Sequence, residues 1–222
     1  MDASDSRPYG RRAFLGVLAA GFAALLGGHP LERVGQLLTP VEGALGFDGW
    51  RIYTVASTMP RFERATWRLR IDGLVERPRE LGYAELLALP QTSEVRDFHC
   101  VTGWSVPNVH WRGVRLRHVL DAVGPLPAAG ALRFVSAEIP YEDSLTLAQA
   151  RLADVLLATH MDGRPLSRAH GAPVRLVIPE MYGYKGVKWV ERIELTGQPA
   201  TGYWERRGYD LDAWVGRSNG RV

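Results

Sequence analysis

Residues 173–195, PVRLVIPEMYGYKGVKWVERIEL, decide how this chain folds. The stretch holds two apolar, β-branched runs, 173–178 and 187–195, on either side of a Gly-containing turn. Branched side chains fit a pleated, half-buried surface, so both runs predict strands. Working outward, the same signal recurs at 132–137 and 155–159, and 94–99 reads as a strand that leads straight into Cys100. At 67–73, Trp67, Leu69 and Ile71 alternate with Arg68 and Arg70 before Asp72-Gly73, the pattern of a strand with one wet face. Helical spacing is confined to short pieces: 83–89, stopped by Pro90; 114–123, ended by Gly124; and 147–152. Asp162-Gly163 marks a turn. Short strands and short helices without βαβ regularity or internal repeat predict an α+β domain, with a mixed, largely β-sheet core and short helices.

The 222 residues, 46% apolar and 23% charged, suit one folded domain with little left over. The net charge of +3 is spread along the chain and gives no nucleic-acid footprint. A single cysteine excludes an intramolecular disulfide framework, a cysteine-rich zinc site and a C-x-x-C-H haem. Near the start, Arg11-Arg12-Ala13-Phe14-Leu15-Gly16 opens an uncharged run over 13–28. That pattern matches a signal segment, is too short to span a bilayer, and is similar to a twin-arginine export signal. An ordinary buried N-terminal helix is the alternative. No A-x-A cleavage site follows, so retention as a membrane anchor stays open. The chain thus divides into a signal or anchor segment at 1–29, a linker at 30–50 and a folded domain at 51–222.

Two constellations carry chemistry. Cys100 stands at a strand end in Asp97-Phe98-His99-Cys100-Val101-Thr102-Gly103-Trp104. It can be a small buried hydrophobe, a nucleophile or a soft metal ligand. Neighbouring strand residues point to opposite faces, which sets His99 away from the thiol and favours the metal ligand over the nucleophile. The second constellation is His170-Gly171-Ala172-Pro173-Val174-Arg175, then Gly183-Tyr184-Lys185-Gly186-Val187-Lys188-Trp189. The chain has 25 Arg and only two Lys, Lys185 and Lys188, both in this turn. A compact ammonium suits a crowded anion site, and Gly183 and Gly186 let backbone amides approach a phosphate. A solvated basic hairpin is the alternative. The spacing matches neither a P-loop nor a Rossmann fingerprint.

Together these residues resemble the sulfite oxidase-like family of molybdopterin-dependent oxidoreductases, over 53–210. Cys-Val-x-x-Trp at Cys100 looks most like the bacterial methionine-sulfoxide-reductase branch. The resemblance implies a sulfite oxidase-type molybdopterin-binding fold and a molybdenum cofactor with one pyranopterin per molybdenum. It implies that Cys100 binds the metal, and that His170, Arg175, Lys185, Gly186, Val187 and Lys188 hold the pterin and its phosphate. Tyr53 and Thr54 fall where the family makes further pterin and pocket contacts. Trp204-Glu205-Arg206-Arg207-Gly208-Tyr209 places Tyr209 at the tyrosine beside the reacting oxygen, and Trp104 and Trp111 read as wall and core.

The departures from sulfite oxidases bear on substrate. Thr54 and Ser105 stand where that branch is expected to carry arginines, and no segment matches its immunoglobulin-like or haem domains. Each lost charge-assisted bond is worth about 1.5–3 kcal/mol, which argues against a small dianion such as sulfite and for a neutral or zwitterionic oxo-substrate such as a sulfoxide. The implied reaction is two-electron oxygen-atom transfer on a small-molecule oxo-substrate. An external redox partner, a cytochrome or a membrane haem- or quinol-linked subunit, exchanges the electrons, and the expected location is the periplasm or the outer face of the cytoplasmic membrane. Two readings from other classes stay beside it: a Cys100-dependent hydrolase with His99, His110 or His170 as base, and a non-catalytic module that binds an anionic partner at Arg175, Lys185 and Lys188.

Overall fold

The alternation at 67–73 forms a strand as the pattern demands: Leu69 and Ile71 are buried while Arg68 and Arg70 face water. The computed structural model describes residues 49–219, so the signal-segment expectation and most of the linker lie outside the described residues. The chain divides into units Met1–Gly49 and Trp50–Val222, and the second holds all the described helices and strands. In chain order its elements are β1 (Arg68–Gly73), β2 (Arg79–Gly82), α1 (Tyr83–Ala88), β3 (Gln91–His99), β4 (Ser105–Arg115), α2 (Leu116–Val123), β5 (Ala131–Ser136), β6 (Glu142–Thr146), α3 (Leu147–Ala150), β7 (Leu156–Met161), β8 (Arg164–Pro165), β9 (Arg175–Val177) and β10 (Val190–Thr196). Single 3-10 turns occupy Arg168–His170 and Glu205–Arg207.

The strands form two sheets. One runs β2-β1-β10-β5-β6; the β1–β10 pair is parallel and its other pairs are antiparallel. The other runs β3-β4-β7-β8, with β9 also against β7. The expected α+β class with a mixed, largely β core is what forms. Leu157 on β7 and Leu176 on β9 enter the main core with Leu69, Phe134 and Ile193. Their neighbours Leu156, Ala158 and Val177 turn to a second core around Trp111. A strand covered on both faces reads as an unbroken apolar run, which is why 155–159 shows no alternation.

Three differences from the sequence reading have local causes. The helix expected at 114–123 begins at Leu116, because Val114 and Arg115 complete β4. β4 itself escaped the pattern. Its partners jump from Val106–Phe98 to Val109–Arg96, so Pro107-Asn108 forms a bulge, with Asn108 at φ 54°, and breaks the two-residue alternation. β6 was also hidden, since its charged Asp143 is buried rather than exposed.

Close strand approach sets one stability test. A Cβ on Gly113 of β4 would stand 2.6 Å from Ala158 Cα and overlap the Leu157 carbonyl. Gly113→Ala should therefore destabilise by about 1–3 kcal/mol or more through forced strand separation. Gly197→Ala, whose new Cβ would sit 3.6 Å from the nearest atom, should stay within about 0.5 kcal/mol of the parent. Thermal melts of both variants check the contrast.

Candidate active site

Chain segments from both sheets converge on a cavity of about 180 Å³. Cys100 reaches it from the end of β3. A tight turn follows the strand: the Cys100 amide donates to Trp104 O at 2.9 Å, and the Gly103 amide to Cys100 O at 3.0 Å. The thiol lies 3.1 Å from Thr102 Oγ1 and lines the cavity. His99 faces the other way. Its Nδ1 is 2.9 Å from Ser105 Oγ, and it lines a separate surface groove with Pro179 and Glu180. Strand alternation thus separates imidazole from thiol.

Arg175 comes from the start of β9 and is buried, yet it borders the cavity. Its guanidinium lies over the rings of Trp111, at 5.2 Å, and Phe98, at 5.6 Å. One long bond, 3.4 Å, runs from Nη1 to His170 O, and Nε has no hydrogen-bond partner among the described residues. Burial pulls its pKa down to about 10. Lys188 borders the same cavity, donates from Nζ to Tyr53 O at 2.7 Å, and lies 4.2 Å from the Trp189 ring centre. Burial first, then the Arg175 charge, bring its pKa down to about 8. Trp189 holds φ at 51°, a costly left-handed geometry for a bulky residue, and its indole Nε1 donates to Arg168 O at 2.9 Å. Gly171 makes room for this kink: at φ +100° its missing Cβ would sit 2.8 Å from Lys188 Cβ. His170 lines the cavity with its ring against Trp50, centroids 4.8 Å apart.

Residues 50–60, which form neither helix nor strand, lie along the cavity and contribute Trp50, Arg51, Ile52, Tyr53 and Val55 to it. Side chains from three other parts of the chain hydrogen-bond to the backbone of this segment. Lys188 takes Tyr53 O, the buried Glu138 accepts the amides of Val55 at 2.8 Å and Ala56 at 3.2 Å, and Arg168 donates to the carbonyls of Met59 and, at 3.0 Å, Pro60. Thr54 does not enter the cavity lining; its hydroxyl donates to Ala56 O at 3.1 Å. Ser105 is likewise outside the lining and faces His99. The two positions expected to hold a dianion's arginines are therefore not cavity positions here, whereas Arg51 is.

The remaining wall is aromatic. Tyr209 borders the cavity with its ring 5.3 Å from those of both Tyr184 and Trp204, and Trp104 and Tyr141 join it. Trp111, by contrast, is core. Lys185 and Val187 also stand apart from the expectation. Val187 is fully buried in the main core. Lys185 lies behind the wall, its ammonium bonded to Asp143 and Glu205, so it offers no free charge to an anion in the cavity. Gly186 does border the cavity, but its amide donates to Gly183 O at 3.1 Å and the Gly183 amide to His99 O at 2.8 Å, so neither is open to a phosphate. Sequence reasoning missed Glu138 and Arg51. Only Glu138's position, an acid at the close of the 132–137 strand, could have marked it.

The charges decide what this arrangement accepts. Arg175, which is buried, and Lys188, which is half-buried, are cations without an ion pair among the described residues, a costly state that a bound anion relieves. The wall between them and Cys100 suits a flat heterocycle. Among the described residues no cluster of three or more His, Cys, Asp or Glu could hold a metal ion, and Cys100 brings a thiol, a soft donor, to the cavity. A large anionic, planar group carrying its own metal donors fits this set.

Comparison with known proteins bears on the same region. The model of the oxidoreductase molybdopterin-binding domain matches residues 56–204. An uncharacterised oxidoreductase, YuiH, of Bacillus subtilis is 36% identical over 159 residues, covering 70% of this chain and 80% of the relative. The protein-methionine-sulfoxide reductase catalytic subunit MsrP of Gluconobacter oxydans is 31% identical over 236 residues, covering 96% and 75%. The crystal structure of the sulfane dehydrogenase SoxCD from Paracoccus pantotrophus superposes with a TM-score of 0.62 at 26% identity, over 67% of this chain and 42% of that one. With a cavity that fits the cofactor and a domain match spanning most of the fold, this chain belongs to the sulfite oxidase-type family of molybdopterin-binding oxidoreductases.

Proposed function

We propose that this protein is an exported molybdenum-cofactor oxidoreductase that reduces a sulfoxide or another neutral or zwitterionic oxo-substrate. The observation that carries the reading is the placing of one thiol, Cys100, and one buried guanidinium without an acid partner, Arg175, on the same aromatic cavity. When bound, the molybdenum–pyranopterin group supplies two-electron oxygen-atom exchange. Cys100 is the metal ligand. Arg175 and Lys188 neutralise the anionic end of the pterin, and a phosphate there favours the charged form of Lys188, which burial alone disfavours. His170, Gly186 and Tyr53 border the same space. The Tyr209 hydroxyl orients the reacting oxygen from the aromatic wall, which also excludes water. Electrons come from an external partner, a cytochrome or a membrane haem- or quinol-linked subunit.

The sulfoxide is supported by the wall, which is aromatic, and by the relative named as a protein-methionine-sulfoxide reductase catalytic subunit. Sulfite oxidation is the second reading, because Arg51 does border the cavity. Export by the twin-arginine route rests on Arg11-Arg12 ahead of Phe14-Leu15.

Protein made in a molybdopterin-competent host should carry molybdenum and pterin in a one-to-one ratio. Cys100→Ser should remain folded by thermal melt but lose turnover, since an alkoxide is a harder ligand than a thiolate; full activity in that variant would sink the assignment. Dye-coupled assays should give a neutral sulfoxide the larger kcat/KM, with sulfite slow and poorly saturating. Efficient sulfite oxidation with sulfoxides inert would instead give the cavity to a dianion. Replacing Arg11 and Arg12 together by Lys should leave folded protein in the cytoplasm, as read by cell fractionation.

A further inference from the structure

Behind the aromatic wall lies a charge cluster that the cavity does not use. Lys185 Nζ donates to Asp143 Oδ1 at 2.7 Å and to Glu205 Oε1 at 2.5 Å, and the three side chains are only 2%, 1% and 1% exposed. Asp143 Oδ1 also accepts the Ser144 amide at 2.6 Å. The other oxygens, Asp143 Oδ2 and Glu205 Oε2, are sealed from solvent with no hydrogen-bond partner among the described residues. Both carboxylates converge on Gly202, where a Cβ would stand 2.8 Å from Asp143 Cγ and overlap Glu205 Oε2. Two carboxylates against one ammonium leave a net negative charge in a dry site if both are ionised, and a protein sheds such a charge by taking up a proton.

We propose that Asp143 and Glu205 share one proton at neutral pH, and that this neutral cluster with Lys185 positions the cavity wall carried by Tyr141, Tyr184 and Trp204. Each member sits within two residues of one wall aromatic, on a different segment: Asp143 on β6 beside Tyr141, Lys185 beside Tyr184, Glu205 beside Trp204. The cluster is the polar joint that ties those three segments together. Burial, and after the opposing pull of Lys185 the neighbouring Glu205, push the Asp143 carboxyl up to about 8.

The surrounding charges do not supply the missing cation. On β6, Glu142 is engaged by Arg133 and Arg206. On the Glu205–Arg207 turn, Arg206 is thereby occupied and Arg207 lies over the Tyr203 ring, 3.6 Å from its centre. Beside Lys185, the Tyr184 hydroxyl donates to Asp210 O at 2.8 Å and accepts from Asn219 Nδ2 at 3.1 Å. Around Tyr141 stand Glu138, another negative charge, and Arg175, which faces the cavity. Above about pH 8 the cluster therefore becomes anionic, Asp143 and Glu205 repel, and the wall loosens.

The positioning role rests on reading the cavity as the substrate site; the shared proton does not, and it is read without turnover. Infrared spectra of the full-length, cofactor-loaded protein should show a protonated-carboxyl stretch near neutral pH that fades as pH passes about 8. The band should be missing in Asp143→Asn and in Glu205→Gln, each of which leaves one ionised acid on Lys185, and present in Glu191→Gln, which controls for Glu191, an exposed acid whose pKa is also raised. Because the folded carboxyl binds its proton more tightly than the unfolded one, the melting temperature of Asp143→Asn should gain on the parent as pH rises to about 8 and then hold level. The parent's KM for a sulfoxide should rise roughly threefold or more above that pH with kcat less affected, while Asp143→Asn keeps a flat KM. If Asp143→Asn does not fold, Glu205→Gln carries the same comparisons. A parent without the band near neutral pH, a band that survives in both variants, or parallel melting curves would overturn the shared proton. Matching KM profiles in the presence of the band would overturn the positioning role alone.

Discussion

Arg175 is carried indoors by β9 and left there with aromatic rings on two sides and a single long bond to a carbonyl. Burying a guanidinium without an acid costs several kcal/mol, so the surrounding fold has to be stable enough to bear it. The means are visible. β9 is clamped against β7, whose two faces feed two separate cores, and Trp111 lies beneath the charge as one of the largest fully buried side chains. The positions around Arg175 are thus held by a strand pair and by two cores.

The two lysines, three residues apart, show how burial divides one residue type between two jobs. Lys185 points away from the cavity to a pair of acids, and its pKa is raised because their attraction outweighs the burial that opposes it. Lys188 finds only carbonyl oxygens and an indole face, and its pKa falls. Lys188 reaches the cavity while its neighbours Val187 and Val190 stay in the core, and the backbone turns left-handed just after it, at Trp189. One ammonium becomes structure and the other remains available.

Much of this was legible in the sequence because it rests on short-range rules. Apolar runs marked β7, β9 and β10, and strand alternation correctly put Cys100 and His99 on opposite sides of β3. Identical residue types, however, carry no label for their partners. Nothing local to Lys185 announces Asp143, 42 residues away, or Glu205, 20 residues away, and so it read as an anion ligand like Lys188. Thr54 and Ser105 failed for a related reason. Each hydroxyl goes to a neighbour instead of the cavity, that of Thr54 to Ala56 O and that of Ser105 to His99 Nδ1. β4 was lost to its bulge, where one extra residue reverses which side chains face inward.

The segment at 50–60 lies over the cavity without joining either sheet, and side chains from Glu138, Arg168 and Lys188 hold it. Releasing it breaks these bonds and the packing of Trp50 against Phe98, Trp104 and Trp111, whereas releasing a neighbouring strand would tear a ladder. One border of the cavity is thus tied to the fold by side chains, while the sheets that carry Arg175 and Cys100 are tied by backbone ladders.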